Sequence, residues 1–298
     1  MTQEIRLGLL AGVGAYTIWG LLPLYFRALG HVSPEEMLAH RIIWALPAGV
    51  ALIAIAARWR DLRAACTPSR LGWLGLAAAL IGLNWFVYIW AVGQERVMEA
   101  SLGYYINPLV NVVLGAAFLS ERLRPAQWVA VGLAALGVAL MAGALGQVPW
   151  VALILCFTFA FYSLIRKRVA VDGRAGFVVE AAFLFPFATL WMGLHLASGG
   201  PLWGAGGWDV PLLLAAGPIT AAPLILFAVS AKRLRLSTIG MMQYLGPTLQ
   251  FLIALAFGER FGWTHAAAFG FIWLALAVFT ADSVAGARRR PKTLESAA

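Results

Sequence analysis

The chain contains one passage twice. Residues 101–122 (SLGYYINPLVNVVLGAAFLSER) return as residues 240–260 (GMMQYLGPTLQFLIALAFGER). At an offset of 139 residues Tyr105 falls on Tyr244, Pro108 on Pro247 and Asn111 on Gln250. One residue is then lost, so that Glu121 and Arg122 meet Glu259 and Arg260, and Gly132 meets Gly270. Pro47 and Pro186 fit the same offset, which sets Arg41 opposite Glu180. A chain of two copies must pack them together, and the number of helices per copy decides whether the second lies upside down.

At 62% hydrophobic and 12% charged residues, with a mean hydropathy of +0.83, the chain cannot cover a globular core with water-compatible surface. Membrane spans need about 20 apolar residues each. Gly, Pro and charge clusters divide the sequence into ten such runs, over roughly 7–29, 34–57, 71–91, 100–119, 125–144, 149–165, 176–197, 210–231, 236–257 and 262–284. The expected fold class is an all-α integral membrane protein with ten transmembrane helices. Residues 7–144 form the first five-helix repeat, 149–284 the second, and 285–298 a basic tail. Because five is odd, the copies are inverted about a pseudo-two-fold axis in the membrane plane.

Charge sets the orientation. Eighteen of the 22 basic residues fall beside alternate span ends, leaving only Arg27, Arg41, Arg96 and Arg260 elsewhere. The positive-inside rule therefore predicts cytoplasmic N- and C-termini. It also accounts for the net charge of +9 without nucleic acid, since the excess sits in short loops where it meets anionic lipid. The two cysteines, Cys66 in a loop and Cys156 in a span, predict no disulfide. The first apolar run is full length and carries Tyr16, Trp19 and Pro23, so it reads as a retained helix and not a cleaved signal.

Helices that face only lipid have no use for amides, phenols or prolines, yet here these recur at helical spacing. Tyr16, Trp19 and Pro23 share a face of the first span, Asn84 and Tyr88 one of the third. Tyr104, Asn107 and Asn111 share a face of the fourth, and Gln243, Pro247 and Gln250 one of the ninth. Tyr162 matches Trp19 when the first and sixth spans are aligned at an offset of 143. The expectation is a central cavity lined by these faces, although a buried Asn also serves as interhelical glue. Pro108 and Pro247 each remove a backbone hydrogen bond near mid-span, which predicts a broken turn in both copies. Arg41, beside His40, lies about seven residues into its span, roughly 10 Å deep. Glu180 mirrors it. The pair is expected to flank the two mouths of the pathway, unless Arg41 instead snorkels outward or pairs with Glu35, Glu36 or Glu99, while Glu180 pairs with a loop arginine.

Other chemistries lack their motifs. No Gly-Lys dipeptide occurs, so no phosphate-binding loop is present. The four histidines have no metal-ligand spacing, and no nucleophile elbow appears. No cofactor or metal is expected, and an intramembrane enzyme is disfavoured. The Gly8-x-x-x-Gly12 pattern and the small residues of the fifth span suit close helix packing or a homodimer.

Two five-helix units, each with a fourth helix of the type G-Y-Y-I-N-P-L and an F-L-x-E-R ending, resemble the EamA repeats of the drug/metabolite transporter superfamily. The strings AYTIWGLLPLYF, HRIIWALP, NWFVYIWAV, EASLGYYINPLVN, FAFYSLIRK and RLRLSTIGMMQYLGPTLQF are similar to its RarD-like branch. The resemblance implies a bacterial inner-membrane carrier whose cavity is built from spans one to four and six to nine, with spans five and ten outside. It further implies export of small amphipathic metabolites, with amino acids first and drugs such as chloramphenicol as the alternative. Under that reading Tyr16, Trp19, His40, Arg41, Asn84, Tyr88, Tyr104, Asn107, Asn111, Tyr162 and Gln243 contact substrate. Pro108, Glu180 and Pro247 serve gating or coupling.

Overall fold

A computed structural model describes residues 3–94, 96–145, 148–257 and 262–288; Glu259, Arg260 and the end of the basic tail lie outside these. The described residues form helices and connections, without a strand. The helices are α1 (Gln3–Ala28), α2 (Pro34–Ile55), α3 (Trp59–Ala65), α4 (Pro68–Gly93), α5 (Val97–Leu119) and α6 (Pro125–Leu145). They continue as α7 (Trp150–Arg168), α8 (Gly173–Ala197), α9 (Asp209–Arg233), α10 (Leu236–Gln243), α11 (Leu245–Ala256) and α12 (Trp263–Arg288). Among the described residues nine helices are long and apolar enough to cross a membrane. The end-to-end pair α10 and α11 forms the ninth span and brings the number to ten, and short α3 is an extra helix in a segment read as loop.

Local chemistry sets several boundaries. Ser33 caps α2, its hydroxyl accepting from Glu36 N at 3.2 Å, and Pro34 occupies the first turn, where a missing N–H costs nothing. The Asp172 carboxylate caps α8 through Arg174 N at 2.9 Å. Ser120, with φ of 53°, ends α5 in a left-handed turn. α7 outruns its expected end by three residues, because Arg166 is buried and paired and so extends the helix instead of joining the loop.

Packing follows the inverted repeat. α1 lies on α9 as α7 lies on α4, and α2 on α9 as α8 on α4. α5 contacts α7 as α11 contacts α1, while the pairs α2 with α8, α5 with α10, and α6 with α12 straddle the axis. α6 and α12 pack chiefly on each other, outside the remaining helices. Basic residues gather at one end of the bundle, called here the basic end. The far end carries the α1–α2 and α8–α9 connections.

The two prolines behave differently. The chain breaks at Tyr244, between α10 and α11, next to the Gln243 carbonyl, which goes without a helical donor because Pro247, four residues on, has no N–H. The equivalent break in α5 does not occur, because α5 runs unbroken through Pro108. The residue before each proline explains the difference. Gly246 lowers helix stability at the second site. At the first, the counterpart Asn107 is held on α7 by a 2.7 Å hydrogen bond from Nδ2 to the Cys156 carbonyl. The Tyr244 hydroxyl also donates to the Tyr105 carbonyl at 3.1 Å, serving a backbone acceptor next to the turn that Pro108 weakens. α10 approaches α5 so closely that a Cβ on Gly240 would lie 2.7 Å from the Pro108 carbonyl oxygen.

Candidate substrate cavity

Between the halves lies a cavity of about 410 Å³, reaching from mid-bundle toward the far end. Its volume suits one small ligand. α1 contributes Tyr16, Trp19, Pro23 and Phe26; α2 contributes Arg41; α4 contributes Asn84, Trp85 and Tyr88. Tyr104 of α5, Phe159 of α7 and Thr220 of α9 close the sides, with Gln243, Pro247 and Gln250 along the broken span. The lining among the described residues includes one cation and no carboxylate.

Arg41 dominates the electrostatics. Its Nε donates to Thr220 Oγ1 at 3.2 Å, and its guanidinium carbon lies 4.9 Å from the Trp85 ring centroid and 5.6 Å from that of Phe26. No carboxylate of the described residues forms an ion pair with it. The three glutamates named as partners are not used in that way. Glu99 pairs with Arg96 at 2.6 Å and accepts from Val151 N. Glu36 accepts from Gly204 N at 2.9 Å, and Glu35 is exposed. Arg41 faces the cavity flanked by aromatic rings, which stabilise a cation without neutralising it.

Other predicted residues have structural partners instead of cavity surface. His40 is buried, with Nε2 donating to the Leu202 carbonyl at 2.8 Å and Nδ1 accepting from Trp44 at 3.1 Å, and it stacks on Trp203. Asn107 and Asn111 are almost fully buried between α5, α7 and α10. Asn111 Nδ2 reaches Asn107 Oδ1 at 2.9 Å and Gln243 Oε1 at 3.1 Å, so both amides are glue. Tyr162 is fully buried, stacked on Phe227 beneath the cavity. Trp19 meets the same Phe159 and Phe227 rings.

Glu180 does not mirror Arg41 as an open group at a second mouth. It is locked with Arg166 at 2.9 Å and accepts from the Tyr162 hydroxyl at 3.2 Å, with both charged side chains nearly inaccessible. Around it the basic end is closed across the halves. Glu4 pairs with Arg233 at 2.9 Å. Glu121 accepts from the Leu236 and Ser237 amides and from the Ser237 hydroxyl at 2.6 Å, capping α10. Within the second half, Lys167 donates to the Ala231 and Leu234 carbonyls at the same end.

Of the lining residues named above, four were not flagged by the sequence. Phe26 continues the Tyr16, Trp19, Pro23 stripe by one more turn, and Trp85 stands three residues before Tyr88, so helical spacing could have found both. Phe159 and Thr220 sit in spans with no polar stripe to flag them. Pro23 deprives the Trp19 carbonyl of its helical donor, and Gln250 Nε2 supplies one at 3.3 Å.

The fold and cavity define a multi-pass membrane transporter, and comparison with known proteins agrees. Residues 6–143 match the EamA-like transporter family. The chain is 44% identical to protein RarD of Escherichia coli, covering 97% of this chain and 99% of that one. It is 41% identical to the uncharacterized transporter YojE of Bacillus subtilis, over 94% and 96% of the two chains. A protein of Pseudomonas aeruginosa described as chloramphenicol-sensitive protein RarD is 32% identical over 96% and 97%. A solved crystal structure superposes with a TM-score of 0.71 at 26% identity, covering 92% of this chain and 97% of that one. The chain belongs to the RarD-like branch of the drug/metabolite transporter superfamily.

Proposed function

We propose that this protein exports small amphipathic solutes bearing a carboxylate, amino acids foremost, across the bacterial inner membrane by alternating access of its inverted halves, 7–144 and 149–284. The observation that carries this reading is the Arg41 guanidinium, facing the cavity without an ion-pair partner among the described residues. A charge held at depth is costly, and a bound carboxylate offsets that cost. Trp19, Tyr88, Tyr104 and Trp85 supply apolar surface for a side chain, while Asn84 and Gln243 supply polar contacts. One fixed charge suits a monocarboxylate better than a phosphorylated solute, which calls for several cations. The direction of transport rests on the family resemblance.

With the basic end cytoplasmic, the cavity of this conformer faces outward and the Arg166–Glu180 layer forms the inner seal. The described lining offers no carboxylate to exchange protons, which supports movement down the substrate gradient. Purified protein in liposomes is expected to catalyse counterflow of labelled L-phenylalanine, with an imposed pH gradient leaving the rate unchanged. Absence of counterflow for phenylalanine and other neutral amino acids would remove the amino-acid reading, and a rate that tracks the pH gradient would remove the uncoupled one.

A further inference from the structure

The two amides of the cavity are locked in opposite senses. Asn84 Nδ2 donates to the Leu155 carbonyl at 2.7 Å and to Thr158 Oγ1 at 2.9 Å. The Thr158 hydroxyl spends its own proton on the Ile154 carbonyl at 2.7 Å, so toward Asn84 it can only accept. Both amide hydrogens are therefore consumed on α7, and the side chain cannot flip without placing oxygen against oxygen. Oδ1 keeps no hydrogen bond to any described residue and is not among the sealed polar atoms. Asn84 thus presents to the cavity an acceptor alone.

Gln243 is set the other way by a relay. Asn107 donates to the Cys156 carbonyl, so its Oδ1 is turned to Asn111; Asn111 then has a hydrogen left for Gln243 Oε1. The cost is visible, because Asn111 Oδ1 is buried without a partner. Gln243 Nε2 is left as a donor, the same sense as the Arg41 guanidinium. The cavity therefore has two donors suited to a carboxylate and a separate fixed acceptor.

We propose that Asn84 Oδ1 receives the ammonium group of the substrate, so that the site selects free α-amino acids over des-amino carboxylates with the same side chain. This rests on the carboxylate reading above and adds the group at the substrate's other end. Asn107 and Asn111 are positioning residues, acting through Gln243.

The test measures equilibrium binding of L-phenylalanine and of 3-phenylpropanoate to the purified full chain. Wild type is expected to prefer phenylalanine by about 10- to 100-fold, the range for one hydrogen bond to a charged group. In Asn84→Leu the ratio of the two affinities should collapse toward one, because phenylalanine alone loses a contact of its ammonium group. Should that variant not fold, Thr158→Val, which removes one of the two locks, is expected to narrow the preference. Equal binding of both compounds to wild type, or a preference that survives both substitutions, would overturn the proposal. A parallel loss of both ligands in Asn84→Leu would overturn it too, leaving Asn84 as glue between α4 and α7. Binding of neither compound to wild type would instead defeat the carboxylate reading, and the ammonium subsite with it.

Discussion

Arg41→Ala is expected to weaken amino-acid binding and transport by on the order of 10- to 100-fold, the equivalent of losing a charged hydrogen-bonded contact of about 1.5–3 kcal/mol. The protein should still fold. Within the protein Arg41 makes one hydrogen bond, to Thr220, and two ring contacts, so removing it relieves a costly charge and leaves no carboxylate stranded. Arg41→Lys keeps the charge but loses the planar fork that matches a carboxylate, and should recover only part of the affinity. The measurement is substrate affinity beside the unfolding temperature in detergent. Unimpaired binding in Arg41→Ala would contradict the assigned role.

Glu180→Ala should do the reverse and strike the fold first. It strands Arg166, which is buried with its side chain 2% exposed, and breaking a buried pair from one side costs about 3–5 kcal/mol. Tyr162 loses its acceptor in the same step. A large drop in detergent stability is expected. The double substitution Arg166→Met with Glu180→Leu should restore much of it, because two apolar side chains of similar size leave no unpaired charge. If Glu180→Ala retains wild-type stability and alters only transport, Glu180 belongs to the pathway and not to its seal.

This contrast between Arg41 and Glu180 marks where the sequence was legible. The repeat placed both residues at equivalent positions, and nothing in the spacing distinguished them. The difference comes from α7, whose last turn carries Arg166 across to α8; a basic residue beside a span end reads as a topology signal until its partner is known. The same holds for the amides. Helical periodicity put Asn84, Asn107, Asn111 and Gln243 on inward faces. Which of them meets empty space depends on how closely α5 approaches α7 and α10, and that approach is set by Gly240 and by Gly103, whose Cβ would lie 2.9 Å from the Ala152 carbonyl oxygen. Small residues announce close packing but do not name their partners.

The prolines give a parallel lesson. Their repeat spacing marked Pro108 and Pro247 as equivalent, and sequence alone predicted two breaks. One occurs. The backbone answered to the neighbours, Asn107 tied to α7 in one copy and Gly246 in the other, so inversion preserves the architecture while local chemistry decides the conformation. By contrast, the span count and the inverted pairing were readable because each rests on long runs of residues and not on single contacts.

The central claim is that the cavity around Arg41 is the substrate site. Single cysteines in a Cys66→Ser background test it directly, since the remaining native thiol, Cys156, is buried. Cysteine at Thr220 or Gln250, both on the cavity wall, should react with a small polar thiol reagent, and bound amino acid should slow the reaction. Cysteine at Asn107, sealed between α5 and α7, and at Val113, exposed on the outer face of α5, should give rates that substrate does not change. Labelling at Thr220 and Gln250 that is indifferent to substrate, or substrate protection at Asn107 instead, would contradict the assignment.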